Sequence, residues 1–297
     1  MQLEHPKHIL SPVDFSELSA LALRYAEALR SCSGARLTVL YASSFEVPPY
    51  FTQGQLAELQ QTLREAGRQA EEDLREFVRR TLGPEAARPE LRVLEGRPAD
   101  LILKLAAEIG ADLIAMGTHG RSGLNRLLLG SVTERVLSQS EIPVLTVRPQ
   151  APAPARPLAL RHILCPVNDT AIARKALARA VEMARCLDAT LTLLHVHEPK
   201  AENAIADLCA WVPPAQRAQC RIREIERRGE AAREIVAQAA ESGCDLLVIG
   251  AEHRRFFDGT VIGSTSARVV RHAPCPVLTV VGREGERPAP ERFGSRP

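Results

Sequence analysis

Several features that would assign this 297-residue chain to a class at once are missing. Charge of one sign is not in excess: the formal net charge at pH 7 is +2, so a broad nucleic-acid surface is not expected. No uninterrupted apolar run approaches the ~18 residues of a membrane span, and Met1–Leu10, with Glu4, His5 and Lys7, has no apolar leader core. A cytoplasmic protein with no membrane or nucleic-acid partner is therefore expected. The seven cysteines form no Cys-x-x-Cys pair and leave an odd count, which suggests neither a zinc ribbon nor a disulfide framework. Most are expected to be small, reduced core fillers, and Cys209 and Cys220, which flank Trp211 and Pro213-Pro214, are read the same way, with a disulfide or metal role as the alternative. No G-x-x-x-x-G-K-S/T phosphate loop occurs, and no paired nucleophile and base stands out, so no residue is nominated as catalytic.

What is present is a duplication. The length is about twice that of a usual domain, and the apolar content of 45% is that of an ordinary globular protein. His8-Ile9-Leu10-Ser11-Pro12-Val13 returns as His162-Ile163-Leu164-Cys165-Pro166-Val167, an offset of 154 that also carries Cys32 onto Cys186 and Leu37–Leu40 onto Leu191–Leu194. Further on the offset is 133: Gly96 maps onto Gly229, Asp112 onto Asp245, Gly117 onto Gly250, Gly130-Ser131 onto Gly263-Ser264, and Pro143–Val147 onto Pro276–Val280. The difference, 21 residues, is missing between the second and third strands of the second copy and is about the size of one helix. The expected organisation is a first domain over 1–148, a Pro/Ala linker over 149–160, a second domain over 161–281 and a disordered tail over 282–297.

Within a copy, short apolar runs alternate with helical periodicity, the pattern of βαβ units and a parallel sheet. In the first copy, strands are expected at His8–Pro12, Leu37–Tyr41, Leu91–Leu94, Asp112–Met116 and Val144–Val147. Helices are expected at Leu18–Ser31, Gln53–Leu82 and Asp100–Ile109, with a last one from about Gly130. The fold class is thus α/β: two tandem doubly wound five-stranded parallel sheets, whose ligand site lies beyond the carboxyl ends of the strands at the switch point.

The fourth strand is followed by Gly117-Thr118-His119-Gly120, nine residues, and Gly130-Ser131-Val132-Thr133 at a helix start. Without Cβ atoms, Gly117 and Gly120 let the backbone turn sharply and approach a ligand, and Gly130-Ser131 offers N–H groups and a hydroxyl to an anion. Arg121 and Arg126 could supply charge-assisted bonds to phosphate, or be solvated loop charges. This motif, together with Pro12-Val13-Asp14-Phe15-Ser16, Gly96-Arg97-Pro98 and Pro143-Val144, resembles the G-x-x-G-x(9)-G-S/T signature of the universal stress protein family over nearly all of both copies. The resemblance implies an adenine-nucleotide α-hydrolase-like fold with a pseudo-two-fold between copies, and ATP bound with Mg2+ on its phosphates and no metal ligands from protein side chains. It further implies Asp14 at the adenosine, Val13, Ala42 and Met116 around adenine, and Pro12, Ser16, Gly117, Gly120, Arg121, Gly130, Ser131, Val132 and Thr133 as further contacts.

Plainer readings stand beside these. Ser131 with Glu134 is a capping box, Asp14 could cap the helix near Ser16, and His119 could order its loop through a local hydrogen bond. The second copy departs from the motif: Gly250-Ala251-Glu252-His253 puts histidine where the second glycine belongs, and Asn168 stands for Asp14 with Asp169 beside it. Arg254 and Arg255 could partly compensate, yet weaker or absent nucleotide binding is expected there, at Val167, Gly250, Gly263, Ser264 and Thr265. Members of the family commonly dimerise through the last strand, so Leu145–Val147 and Leu278–Val280 are expected to pair within the chain, and a homodimer of chains is left open. The function expected is a regulatory ATP-binding stress protein; the alternatives are an interaction protein that binds no nucleotide and a slow ATPase.

Overall fold

A computed structural model describes residues 6–43, 53–84, 88–120, 129–149, 160–197, 209–256 and 259–283. Arg121, Arg126 and nearly all of the Pro/Ala linker lie outside the described residues, as does the tail beyond Arg283. The first half runs β1 (His8–Val13), α1 (Glu17–Ser33), β2 (Arg36–Ser43), α2 (Gln53–Leu82), β3 (Glu90–Glu95), α3 (Pro98–Glu108), β4 (Leu113–Gly117), α4 (Ser131–Gln139), β5 (Val144–Val147). The second half runs β6 (His162–Pro166), α5 (Ala171–Leu187), β7 (Thr190–His197), a short α6 (Pro214–Arg217), β8 (Arg221–Arg228), α7 (Ala231–Ser242), β9 (Leu246–Phe256), β10 (Gly259–Ile262), α8 (Ser264–His272) and β11 (Val277–Arg283). Most elements extend one or two residues past their expected limits, where caps rather than apolar period set the ends: Ser16 caps α1 by accepting from the Ser19 amide, and Gly34 ends it in the left-handed conformation at φ 72°.

Within each half the strands of the main sheet are parallel, ordered β3-β2-β1-β4-β5 and β11-β9-β6-β7-β8. The two sheets are one, because β5 and β11 lie antiparallel with Leu145 opposite Leu278 and Thr146 opposite Val277. The Thr146 hydroxyl also donates to the Val277 carbonyl at 3.2 Å. The outer edges of the sheet are β3 and β8, the latter a mostly exposed run of Arg, Ile and Glu. One core, under α1, α2 and α5, joins Leu23, Leu145, Ile163 and Leu177; the opposite core, under α3, α4, α7 and α8, joins Leu10, Leu137, Leu164 and Val269. Of the apolar stripe on α2, Leu74, Phe77 and Val78 are buried in the first core while Ala66 is exposed.

The duplication reaches single hydrogen bonds. His8 Nε2 meets the Thr38 hydroxyl at 2.8 Å and His162 Nε2 meets the Thr192 hydroxyl at 2.8 Å. Asp112 accepts from the amides of Lys7 and His8, and Asp245 from those of Arg161 and His162. Gly96 and Gly229 take φ of 144° and 147°, values that side chains rarely adopt, at the same turn in each copy.

Two expectations are corrected, and the one for the cysteines gains an exception. In the second copy no loop follows Gly250: β9 continues to Phe256 and folds back as β10, with His253 opposite Ile262. Where the first copy has Gly120, the second has no glycine until Gly259, and the extended backbone persists. β11 follows it alongside, so Gly282 and Arg283 belong to the sheet and not to a tail. Most of the described cysteines are thiols, Cys165, Cys220, Cys244 and Cys275 being free, but Cys32 and Cys186 are joined in a disulfide with Cα atoms 5.8 Å apart. Wide sequence separation hid a pair that the pseudo-symmetry brings together.

α1 and α5 pack together where the halves meet. There Glu182 is 6% exposed, and burial pushes its carboxyl up to about 7 against the pull of Arg179 and Arg185. A folded pKa above the unfolded one means the native state holds the extra proton between roughly pH 4.5 and 7, so stability falls as pH rises through that window. Urea unfolding is expected to show Glu182→Gln more stable than the parent by about 1–3 kcal/mol near pH 8, with the difference vanishing near pH 4. Gly250 is held by packing: a Cβ there would stand 2.8 Å from the Ile172 carbonyl oxygen, whereas at Gly263 the nearest atom is at 3.7 Å. Gly250→Ala should cost about 1–3 kcal/mol and Gly263→Ala little, by the same measurement.

Candidate functional site

Chain crossovers leave β1 and β4 toward opposite faces of the sheet, and at their carboxyl ends the first half opens into a cleft of about 780 Å³, mouth included. Its floor is Pro12 and Val13 at the end of β1, Ala42 on β2, and Met116 and Gly117 at the end of β4. Pro98 and Ile102 of α3 form one wall; Gly130, Ser131, Val132 and Thr133 at the start of α4 form the other, with His119 and Gly120 between. The residues nominated in the first copy therefore converge, with two exceptions: Ser16 is not among the lining residues, and Arg121 is outside the described ones. Ser19, Pro98, Ile102 and His119 line the cleft without having been nominated; Pro98 stood in the matched Gly96-Arg97-Pro98 segment and His119 inside the glycine motif, but Ser19 and Ile102 look like ordinary helix residues.

Asp14 enters the cleft through a backbone kink. The next residue, Phe15, has φ of 64° and packs its ring on Tyr41 at 4.4 Å and Phe77 at 5.4 Å between centroids. A non-glycine residue there costs of order 1 kcal/mol, offset here by aromatic packing. Asp14 is not the helix cap: Ser16 is, and its hydroxyl also donates to Asp14 Oδ1 at 2.6 Å while its amide donates to the same oxygen at 3.1 Å. Ser16 thus orients the carboxylate, and Asp14 Oδ2 faces Gly120, where a Cβ would stand 2.9 Å from it.

The motif glycines act differently from expectation. None of Gly117, Gly120 and Gly130 has positive φ. Each instead lets protein approach protein: a Cβ on Gly117 would meet the Leu18 side chain at 3.0 Å, and one on Gly130 the Thr118 carbonyl oxygen at 3.0 Å. Gly130, not Ser131, is the N-cap of α4, and it has no side-chain capping bond. The expected capping box is absent, since Glu134 faces Arg271 of α8 at 3.5 Å. The first amides of α4 therefore open on the cleft with the positive end of the helix dipole behind them. The Thr133 hydroxyl is committed to the Gly117 carbonyl at 2.9 Å, as Ser266 is to Gly250 at 2.9 Å in the other half.

His119 is the remaining polar group. Its Nδ1 is 2.9 Å from the Thr118 hydroxyl, the local bond expected of it, while its Nε2 is shielded from solvent and has no hydrogen-bond partner among the described residues. Burial first, and the Arg148 guanidinium second, hold its pKa below the usual histidine range, so the ring is neutral near pH 7. An apolar floor, an oriented carboxylate, a neutral imidazole and a helix N-terminus in one crevice can hold a flat, partly polar body with an anionic tail.

The matching region of the second half is built otherwise. Asn168 accepts from the Thr170 hydroxyl at 2.8 Å, and Asp169 pairs with Arg174 at 3.0 Å on the surface, away from the role of Asp14. Val167 is buried, Gly250 lies inside β9, and Gly263 caps α8, with Ser264 exposed and Thr265 half-buried in its first turn. Glu230 of the α7 cap reaches across to Arg268 of α8 at 2.8 Å. The side chains of His253, Arg254 and Arg255 lie outside what the structure describes.

These features define a tandem doubly wound α/β protein with a cleft at the switch point of its first unit. The universal stress protein family model matches residues 5–148 and again 159–281, and the chain belongs to that family as a member with two units in tandem. It is 32% identical over 145 residues to the universal stress protein MJ0531 of Methanocaldococcus jannaschii, covering 48% of this chain and 82% of that one. It is 36% identical over 142 residues to a universal stress protein of Thermus aquaticus, covering 48% and 98%. A universal stress protein structure from Archaeoglobus fulgidus shares the fold at full length, with a TM-score of 0.68, 22% identity, and coverage of 94% of this chain and 97% of that one.

The site makes one prediction for solution. Because His119 takes up its proton below the unfolded value of 6.5, the unfolded chain binds more protons as pH falls past that point, and stability present above it is lost below it. An NMR titration of the His119 ring should give a midpoint under 6.5; a midpoint at or above it would show the ring to be solvated.

Proposed function

We propose that this chain is a regulatory stress protein whose first half binds ATP, and that occupancy of this cleft alters its conformation or its partners. The observation that carries the reading is the single crevice in which an apolar floor, the Asp14 carboxylate and the uncapped N-terminus of α4 converge. Adenine fits against Val13, Ala42 and Met116, and ribose or base donors reach Asp14. The phosphates lie at the amides of Gly130 to Val132 and the Ser131 hydroxyl. Magnesium enters on the phosphates: among the described residues no three His, Cys, Asp or Glu side chains converge to hold a metal. Among the described residues no side chain is set as an activated nucleophile or a positioned base, so binding rather than turnover is the reading.

The second half serves as a built-in partner. Its β9 and β10 take the place of the phosphate loop, and its β11 covers the last strand of the first half. Glu134 of α4, one turn from the proposed phosphate site, contacts Arg271 of this half, which gives occupancy a route into it.

Calorimetric titration should find one ATP per chain. Gly120→Val, whose side chain collides with Asp14, should weaken binding at least ~10-fold, a loss of about 1.4 kcal/mol, with the thermal midpoint little changed. Asn168→Ala in the second half should leave affinity as it was. Unchanged affinity in Gly120→Val, or two nucleotides per chain, overturns the assignment; no binding at all favours the interaction protein.

A further inference from the structure

The disulfide has a position that a fold-stabilising bond does not need. Cys32 is the penultimate residue of α1 and Cys186 that of α5, and their separation of 154 is the offset between the copies. One position of the ancestral unit therefore faces its own counterpart across the pseudo-two-fold, where α1 and α5 meet. The halves are already joined by the β5–β11 ladder and by a core containing residues of both. Cys32 and Cys186 are half-buried and line a shallow surface groove with Pro6, Leu29, Arg179 and Met183. The other close pair, Cys244 and Cys275, has its sulfur atoms 3.3 Å apart and is buried. A small reagent can reach the first pair and not the second.

We propose that Cys32 and Cys186 are a reversible redox site, a clasp between the two halves that a hydroperoxide closes and a small dithiol opens. In closing, one thiolate attacks a peroxide oxygen and becomes a sulfenic acid, releasing water or an alcohol. The second thiol displaces water from it, so the two cysteines lose two electrons and two protons in all, and the peroxide is reduced. In opening, the two thiols of the reductant attack in turn and leave as a cyclic disulfide, returning both electrons. The clasp holds the end of α1 opposite to Ser16, the residue that orients Asp14, so its state bears on the helix that frames the cleft.

The test uses the full-length folded protein. Treatment with dithiothreitol under native conditions, then alkylation and peptide mass mapping, is expected to label Cys32 and Cys186 together while Cys244 and Cys275 stay unlabelled until the chain is unfolded. Hydrogen peroxide should then restore protection of the pair, with a linked peptide two hydrogens lighter than the two thiol peptides. Amide exchange in the last turns of α1 and α5 should quicken severalfold on reduction, and Cys32→Ser should exchange at the fast rate whatever the redox state. A bond that resists native reduction is a structural fastener and overturns the proposal. So do reduced thiols that peroxide fails to rejoin, or exchange at the two helix ends that is indifferent to the bond.

Discussion

Two five-stranded sheets would end in open edges at β5 and β11 if each half stood alone. Their antiparallel pairing removes both edges and merges ten strands into one sheet, so the helix layers above and below become continuous across the join. The central strands are apolar on both faces, as β5 shows with all four residues buried, and neither could remain exposed to water. The packing of α1 on α5, the burial of Glu182 and the meeting of Cys32 with Cys186 are consequences of that one contact. None of them exists in a single copy.

The elements were legible because each carries its own period and caps. The limits of α2 and β5 follow from apolar spacing and the Gly83-Pro84 stop, and the Gly/Ser start of α4 is visible as a motif. The cleft was legible for the same reason: most of its lining comes from the ends of strands and the starts of the helices that follow them, where a doubly wound sheet must place a crevice. Ile102 and Ser19 were not legible, since a helix residue facing a ligand cleft has the same period as one facing the core. The disulfide was hidden because spacing rules look for local pairs, and its partners are local only after the copies have been set face to face.

The glycines show how a signature can be right about place and incomplete about cause. Gly117 gives room to Leu18 and Gly120 to the Asp14 carboxylate, so the motif first lets the walls of the crevice close on one another. Gly250 survives in the second copy for a packing reason of the same kind, against the backbone of Ile172, although the loop it once opened has become a hairpin. A residue kept by packing is thus no sign that a ligand is still held there.

At the outer rim, β8 is an edge strand, Arg221-Ile222-Arg223-Glu224-Ile225-Glu226-Arg227-Arg228, paired with β7 on one side only among the described residues. The Gly229 amide bonds inward to His197, so Ile222, Glu224, Glu226 and Arg228 turn their backbone groups outward, and a second β8 docking antiparallel must match like with like in this alternation. With Ile225 opposite itself, Glu224 meets Glu226 and Arg223 meets Arg227; with Glu224 opposite itself, Arg221 meets Arg227. Both of these symmetric registers bring equal charges face to face. The sheet that grew once by joining its own halves is in this way discouraged from growing again, chain onto chain, into a fibre.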